Sequence, residues 1–421
     1  MWFKLQVLRC MNSLKNYRLI TDLVNNILLN SATQEFINNH INSNIQDLVL
    51  KGCPFEGLDI KELIEQIEAK KKCILKLKTW FDTPGIYYPN KLNIEQTSSE
   101  TAARIKSGFM QGESILDLTG GFGVDSYYFS KQFNTVVHCE LNPKLAAIAA
   151  YNFEVLGANN IKTHAIDGVE FLKSYPDTFD WIYIDPSRRD AQKNKKFLIE
   201  DCSPNVINHQ SLFFKHSNNV LIKMSPMLDI SIGLAALKSV KTVYVVSVKN
   251  EVKELVFHQQ KNYDGSPNIH TINNHPNGDQ QFAFEMLLEE TADASYSSPK
   301  QYLYEPNAAL MKLGAFQLIS KKFKIDKLDQ HTHLYTSDEK LMNFPGKIYT
   351  VTKTHPYQKK LLKKTISGLK ANVKTRNFSE KIQTLKTLFK LSDGGDLYLF
   401  FTSSIGNKIV IECQLNPVRN F

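Results

Sequence analysis

Apolar residues in the first eighty positions recur at three- and four-residue intervals: Leu14, Leu19, Ile20, Leu23 and Ile27, then Ile60, Leu63, Ile64 and Ile67, ahead of the basic run Lys70-Lys71-Lys72. That spacing puts one apolar face on each helix and predicts a helical amino-terminal domain over residues 1–90. Asp82-Thr83-Pro84-Gly85, continuing to Pro89, is rich in turn formers and reads as a linker. Residues 92–110 predict one helix leading into a sheet. From there the period changes. Short apolar runs at 115–118, 135–139, 181–184, 220–224 and 243–248 alternate with helical stretches, and a predicted helix at 251–258 precedes a strand at 282–288. The alternation predicts an α/β domain over residues 91–292 with a seven-stranded Rossmann-like sheet. Residues 265–279, rich in Asn, Pro and Gly, read as a loop. Beyond a polar linker at 292–299, a small α+β region of ferredoxin-like type is expected over 300–345, and another over 346–421.

The densest local signal is Ile-Leu-Asp-Leu-Thr-Gly-Gly-Phe-Gly-Val-Asp at 115–125. Apolar residues up to Leu118 suit a buried strand, and Gly120, Gly121 and Gly123 let the backbone turn tightly against a ligand before a helix opens at Ser126. The next strand ends on Glu140, 20 residues past Gly120, where a doubly wound fold places a carboxylate for ribose hydroxyls. A dinucleotide fingerprint needs glycine three residues after Gly123, and Ser126 stands there instead. Asp117, just ahead of the glycines, would repel a pyrophosphate and attract an ammonium. Both details point to S-adenosylmethionine.

The fourth predicted strand, Trp181 to Ile184, places Asp185 of Asp-Pro-Ser-Arg-Arg at the sheet's carboxyl edge, where open parallel sheets bind ligands. Asp185 can accept a proton, while Arg188 and Arg189 can pin phosphates or stabilise an enolate-like oxygen. These three are the candidate catalytic set, although both arginines could instead pair with Asp190 or Glu200. The following stretch to Lys196, with Lys193 in it, reads as a substrate loop. Cys202 follows the acids Glu200 and Asp201, which would raise its thiol pKa, so it reads as packed, with Ser203 capping a helix that begins at Pro204. A catalytic role for Cys202 stays open.

Charge sharpens the picture only once it is located. The chain carries 51 Lys and Arg against 42 Asp and Glu, a net charge of +9. Residues 346–421 hold 14 basic and 4 acidic side chains, a net of +10, which leaves the other 345 residues at −1. Such a step points to a polyanionic partner for the last segment. The six cysteines form no Cys-x-x-Cys pair and no zinc spacing, so no metal is indicated, and no run of 18 apolar residues suggests a membrane span. A cytoplasmic location is expected, with Met11 an alternative start.

These motifs, in this order over roughly residues 100–290, resemble class I S-adenosylmethionine-dependent methyltransferases. The resemblance implies that Asp117, Gly120, Gly121 and Gly123 line the methionine end and that Glu140 holds the ribose. It also implies that Asp167, in His-Ala-Ile-Asp-Gly-Val-Glu-Phe-Leu, accepts from the adenine amine; Asp167 equally suits a helix N-cap. In amino methyltransferases of nucleic acids the fourth-strand acid or amide is followed by Pro-Pro and an aromatic. Ser187 and Arg188 depart from that pattern toward the Asp-Pro-x-Arg form of RNA base and ribosomal methyltransferases. Ala371-Asn-Val-Lys-Thr-Arg-Asn-Phe and Gly394-Gly-Asp-Leu-Tyr-Leu-Phe resemble the THUMP-like carboxyl-terminal domain of certain bacterial methyltransferases. That resemblance implies tRNA or rRNA as partner. Lys360, Lys363 and Lys364 at helical spacing, with Lys374 and Arg376 in the elements that follow, can form one cationic face for it. The expected function is methylation of an RNA base. A methyltransferase of proteins or small molecules, or a non-catalytic RNA-binding factor that keeps the cofactor fold, remains an alternative.

Overall fold

The computed structural model of the chain describes residues 25–188, 199–276 and 278–416, and of Arg188 the backbone alone. Met11, the periodic residues Leu14 to Leu23, Arg189 and Lys193 lie outside the described residues. Those described form two units, one running to Val240 and including Val256–Tyr263, the other Lys241–Leu255 with the chain from Asp264 onward.

The first unit opens on helices α1 (Ser31–Asn39), α2 (Ile45–Lys51), α3 (Ile60–Lys76) and α4 (Lys78–Asp82). In α3 the Asp59 carboxylate caps the start by accepting the Lys61 N–H at 2.8 Å, and Leu63, Ile64, Ile67 and Cys73 share the buried face. Gln66 is buried with them. Its amide donates to the Tyr88 carbonyl at 2.5 Å and its oxygen accepts the Tyr88 N–H at 2.9 Å, which satisfies both groups. Trp80 and Tyr88 pack in one core with Phe122, Val124 and Leu145, so residue 90 does not separate two cores. The single helix expected over 92–110 is two, α5 (Lys91–Gln96) and α6 (Glu100–Ser107), because Ser99 caps the second by accepting the Ala102 N–H at 3.3 Å.

Parallel strands β1 (Ser114–Asp117), β2 (Thr135–Glu140), β3 (Ile161–Ala165) and β4 (Trp181–Ile184) follow, connected through α7 (Val124–Phe129), α8 (Pro143–Val155) and α9 (Gly168–Ser174). A two-stranded ladder joins β5 (Ser187–Arg188) to β6 (Cys202–Ser203). After α10 (Val206–His216) comes β7 (Asn219–Met224), parallel to β4, and then α11 (Ile230–Ala236). The order β3-β2-β1-β4-β7 reverses beside β1, which opens a crevice at the carboxyl ends of β1 and β4. Cys202 is fully buried in its ladder. Ser203 is held extended in the same ladder, so Asn205 caps α10 in its place, accepting the Asn208 N–H at 3.0 Å; Pro204 precedes the helix.

Strands β8 (Val240–Val248), β9 (Glu251–Gln260), β10 (Asn268–Asn274) and β11 (Gln280–Glu285) bring the sheet to nine strands where seven were expected, in the order β11-β10-β8-β9-β7-β4-β1-β2-β3. Residues 251–258 read as a helix from their Glu, Lys and Leu content, yet they lie in β9. Lys249 and Asn250 adopt φ of 52° and 63°, the left-handed pair of a two-residue hairpin, and Glu254 through Gln259 are all buried. Pairing and packing outweigh intrinsic helix preference here. The loop expected over 265–279 contains β10, parallel to β8.

In the second unit β12 (Tyr302–Pro306), β13 (Asp326–Asp329), β14 (Thr332–Ser337), β15 (Gly346–Pro356), β16 (Asn372–Thr375), β17 (Leu397–Ser404) and β18 (Asn407–Leu415) form one sheet, ordered β13-β14-β12-β15-β18-β17-β16. Because β12 pairs with β15, the two small regions expected on either side of residue 346 share a single sheet. Leu362 and Ile366 of the segment around α12 (Lys359–Thr365), with Leu385 and Phe389 of α13 (Ile382–Phe389), cover Val373, Leu399, Phe401 and Val410.

Candidate active site

The chain leaves β1 still tied to its neighbour, the Leu118 N–H donating to the Tyr183 carbonyl at 2.9 Å, and then turns through the glycines. Their roles differ. A Cβ at Gly120 would lie 2.1 Å from the His138 ring, and one at Gly123, where φ is +88°, would lie 2.3 Å from Phe153. Those two are glycine so that the loop can close on the core. Gly121 has φ of +57° and nothing within 4 Å of its absent Cβ, so it faces open space. Its N–H donates to Glu140 Oε2 at 2.9 Å, while Glu140 Oε1 accepts the Asn142 N–H at 2.7 Å. The acid ending β2 is thereby fixed against the loop.

Leu141 follows Glu140 directly and is 68% exposed; Ile166, beyond the end of β3, is 38% exposed. Glu140 and Ala165 are paired across β2 and β3, so the two aliphatics stand at the same sheet edge as the open glycine. Together they offer apolar surface for a flat ring. Neither belongs to the motifs read from the sequence, although an apolar residue straight after the strand-ending acid is a legible signal.

Asp117 behaves otherwise than expected. It is 1% exposed, its Oδ1 accepting the Thr119 N–H at 3.2 Å and its Oδ2 the Ser126 hydroxyl at 2.5 Å. Ser126 Oγ also lies 2.9 Å from His138 Nδ1. Both oxygens turn into the protein, so Asp117 braces the glycine loop and presents no face to an ammonium. Burial pushes its carboxyl up to about 7, against the opposing pull of the Ser126 hydroxyl, and burial pushes the enclosed His138 down to about 3. Asp117 keeps in the folded chain a proton that the unfolded chain releases above the ordinary 3.8, so its stabilising contribution is full in acid and is lost as pH rises through about 7. His138 works in the other direction, its contribution present above the ordinary 6.5 and lost as pH falls toward about 3. Asp117→Asn should therefore gain stability relative to wild type between pH 5 and pH 8, by on the order of a few kcal/mol in urea unfolding. A difference that does not change with pH would remove Asp117 from this account.

Asp167 caps α9, its Oδ1 accepting the Val169 and Glu170 N–H groups at 2.8 and 3.1 Å. Asp185 stands just beyond β4, its N–H donating to Thr119 Oγ1 at 2.7 Å, which ties the end of β4 to the glycine turn. The pairing of Ile184 with Ile222 sets Asp185 beside Lys223, whose ammonium donates to Asp185 Oδ2. In the sequence Lys223 belongs to an apolar strand, and a lysine inside such a run is itself the signal for this contact. Lys106 of α6, with no exposed surface, lies 3.1 Å from Asp125 Oδ1, and Asp125 Oδ2 accepts from Ser98 at 2.8 Å and Tyr183 at 2.9 Å. Burial alone would raise the Asp125 carboxyl, but Lys106 and then Lys223 outweigh it and hold it low.

The cations expected to face RNA divide into two groups. Lys359, Lys360, Lys363 and Lys364 of α12 are exposed, and no ion pair engages them among the described residues. Lys374 and Arg376 are taken up internally: the Lys374 ammonium donates to Glu305 Oε2, and Arg376 Nη2 donates to Glu305 Oε1 at 2.6 Å. Glu305 is buried, which would raise its carboxyl, but Lys374 and Arg376 pull it below its ordinary range. These two side chains join β12 to the β16 region and are not free surface charges.

Residues 302–345 match a family described as a ferredoxin-like domain and residues 346–415 one described as THUMP domain-like. The crystal structure of a "putative methyltransferase" from Porphyromonas gingivalis W83 superposes with a TM-score of 0.84 at 28% identity, over 92% of this chain and 98% of that one. An uncharacterized RNA methyltransferase of Mycoplasma mobile is 28% identical over 157 residues, 36% of this chain. That match spans 43% of the relative, less than half its length. The fold is that of a class I methyltransferase. It continues into a ferredoxin-like region and a THUMP-like carboxyl-terminal domain.

Proposed function

We propose that this protein is an S-adenosylmethionine-dependent methyltransferase acting on RNA, either tRNA or rRNA. The observation that carries the reading is the open space at Gly121, rimmed by Glu140, Leu141 and Ile166 at the ends of β1, β2 and β3. Glu140 would accept from the ribose, Leu141 and Ile166 would flank the adenine, and Asp167, anchored through Oδ1, would accept from its amine. When bound, S-adenosylmethionine supplies an electrophilic methyl group. Asp185 would accept hydrogen bonds or a proton from the acceptor, with Arg188 and Arg189 following it in the chain. RNA is favoured over a protein or small-molecule acceptor by the net +10 carried by residues 346–421, by the THUMP-like match, and by likeness to a relative named as an RNA methyltransferase.

Calorimetry with S-adenosylmethionine and transfer of labelled methyl groups into unmodified tRNA and rRNA transcripts test the two halves separately. Glu140→Ala should weaken S-adenosylmethionine binding by about 1–3 kcal/mol, because it removes the ribose acceptor and also frees the Gly121 and Asn142 amides. Unchanged affinity in that variant would refute the cofactor assignment.

A further inference from the structure

Resting on the reading above, we infer that the methylated atom is the ring nitrogen of a lactam base, guanine N1 or uracil N3, recognised by Asp185 and Lys223 together. Asp185 lies 32% exposed at the sheet edge, and among the described residues its Oδ1 faces no partner while Oδ2 takes the Lys223 ammonium. Lys223, 15% exposed, reaches that edge from the neighbouring strand, fixed by the Ile184 and Ile222 pairing. A carboxylate acceptor and an ammonium donor thus stand side by side. A lactam edge offers the complement, an N–H next to a carbonyl oxygen.

Hydrogen-bond matching alone admits adenine and cytosine too, since an amine beside a ring nitrogen presents the same order of donor and acceptor. Charge decides between them. An amine or a ring nitrogen of adenine becomes more positive as it attacks, and an adjacent ammonium raises that barrier. A lactam instead loses its N–H proton and becomes an anion shared between nitrogen and oxygen, which the ammonium stabilises. A ribose hydroxyl also passes through an anion, but it is a far weaker acid than a lactam N–H, and a carboxylate is a poor base for it. Ring-carbon attack through a cysteine adduct is not served by Cys202, the thiol considered for it, which is fully buried in the β5–β6 ladder. The step balances: the ring proton passes to Asp185 and on to solvent, and the nitrogen lone pair bonds the methyl carbon. The sulfur keeps the electrons of the broken carbon–sulfur bond and departs as a thioether.

Labelled methyl transfer into transcripts, followed by digestion to nucleosides, tests this. The expected product is a ring-N-methylated guanosine or uridine. Methyladenosine, methylcytidine, a methyl on ribose or a methyl on ring carbon would leave the RNA methyltransferase reading standing and overturn this one. Label in no RNA, with S-adenosylmethionine bound, would sink both. Lys223→Met should lower kcat by about 100-fold and move the pH–rate profile to higher pH, with S-adenosylmethionine affinity within about twofold of wild type, and Lys223→Arg should recover most of the rate. A Lys223→Met profile of unchanged shape would overturn the role of the ammonium. Binding without cofactor gives an independent readout. RNA whose target base already carries the ring methyl should bind wild type about tenfold more weakly than unmodified RNA, and should bind Asp185→Ala no differently from it. Equal binding to wild type would count against the N–H contact.

Discussion

Lys106→Met should cost about 3–5 kcal/mol of folding stability, measured by urea unfolding, because it leaves the Asp125 carboxylate buried without its principal counter-charge. The ammonium is wholly enclosed, 3.1 Å from both Asp125 Oδ1 and Ser98 Oγ and 5.7 Å from the centre of the Tyr183 ring. Asp125 is itself buried, and the hydroxyls of Ser98 and Tyr183 are already committed to its Oδ2. The double variant Lys106→Met, Asp125→Asn should recover much of the loss, since removing both charges also removes the cost of desolvating them. A single variant within about 1 kcal/mol of wild type would show that the pair contributes nothing net. The pair joins α6, α7 and β4 directly beneath the glycine turn and Asp185, so its loss should loosen the site as well as the fold.

Nothing about Lys106 stands out in the sequence. It lies in a stretch that reads as a plain lead-in helix, and its depth depends on how α6 packs over β4, which no local pattern encodes. The glycine turn is the opposite case. Its spacing is a local constraint on the backbone, so the turn, the strand before it and the acid ending β2 were all legible. The chemistry inside the turn was less so. Asp117 looked like a ligand for an ammonium because its position is right, yet a carboxylate at the end of a buried strand turns inward as readily as outward, and Ser126 and His138 decide the matter from elsewhere in the chain.

The same distinction governs the errors in secondary structure. Residues 251–258 carry helix-forming side chains, and what makes them a strand is burial on both faces between the hairpin partner β8 and β7, which lies well before it in the chain. Lys223 escaped notice because a single charge in an apolar run leaves the strand prediction unchanged, while its meaning depends on the register that sets it beside Asp185. Counting charges located the basic segment at residues 346–421 but could not tell which lysines face water. Lys374 and Arg376 neutralise Glu305, which lies about seventy residues earlier in the chain and across the boundary expected at 345.

That sorting focuses the last prediction on α12. Lys360, Lys363 and Lys364 project from a short helix whose Leu362 is buried, so they share an exposed face and no ion pair occupies them among the described residues. Each phosphate that a lysine neutralises releases condensed counterions, with a log–log salt slope of about −0.7 per contact on single strands. Reversing all three to glutamate should flatten the slope of RNA binding by about 2 and weaken affinity roughly 100-fold near 0.1 M salt. S-adenosylmethionine binding should be untouched, since every residue assigned to it lies before residue 170. Lys374→Met is the informative contrast. It breaks an internal ion pair with Glu305, so it should lower the stability of the second unit while leaving the salt slope nearly unchanged. Filter binding at two salt concentrations separates the two outcomes. If the triple reversal keeps both the affinity and the slope of wild type, the α12 lysines are an ordinary solvated face and the RNA contact lies elsewhere.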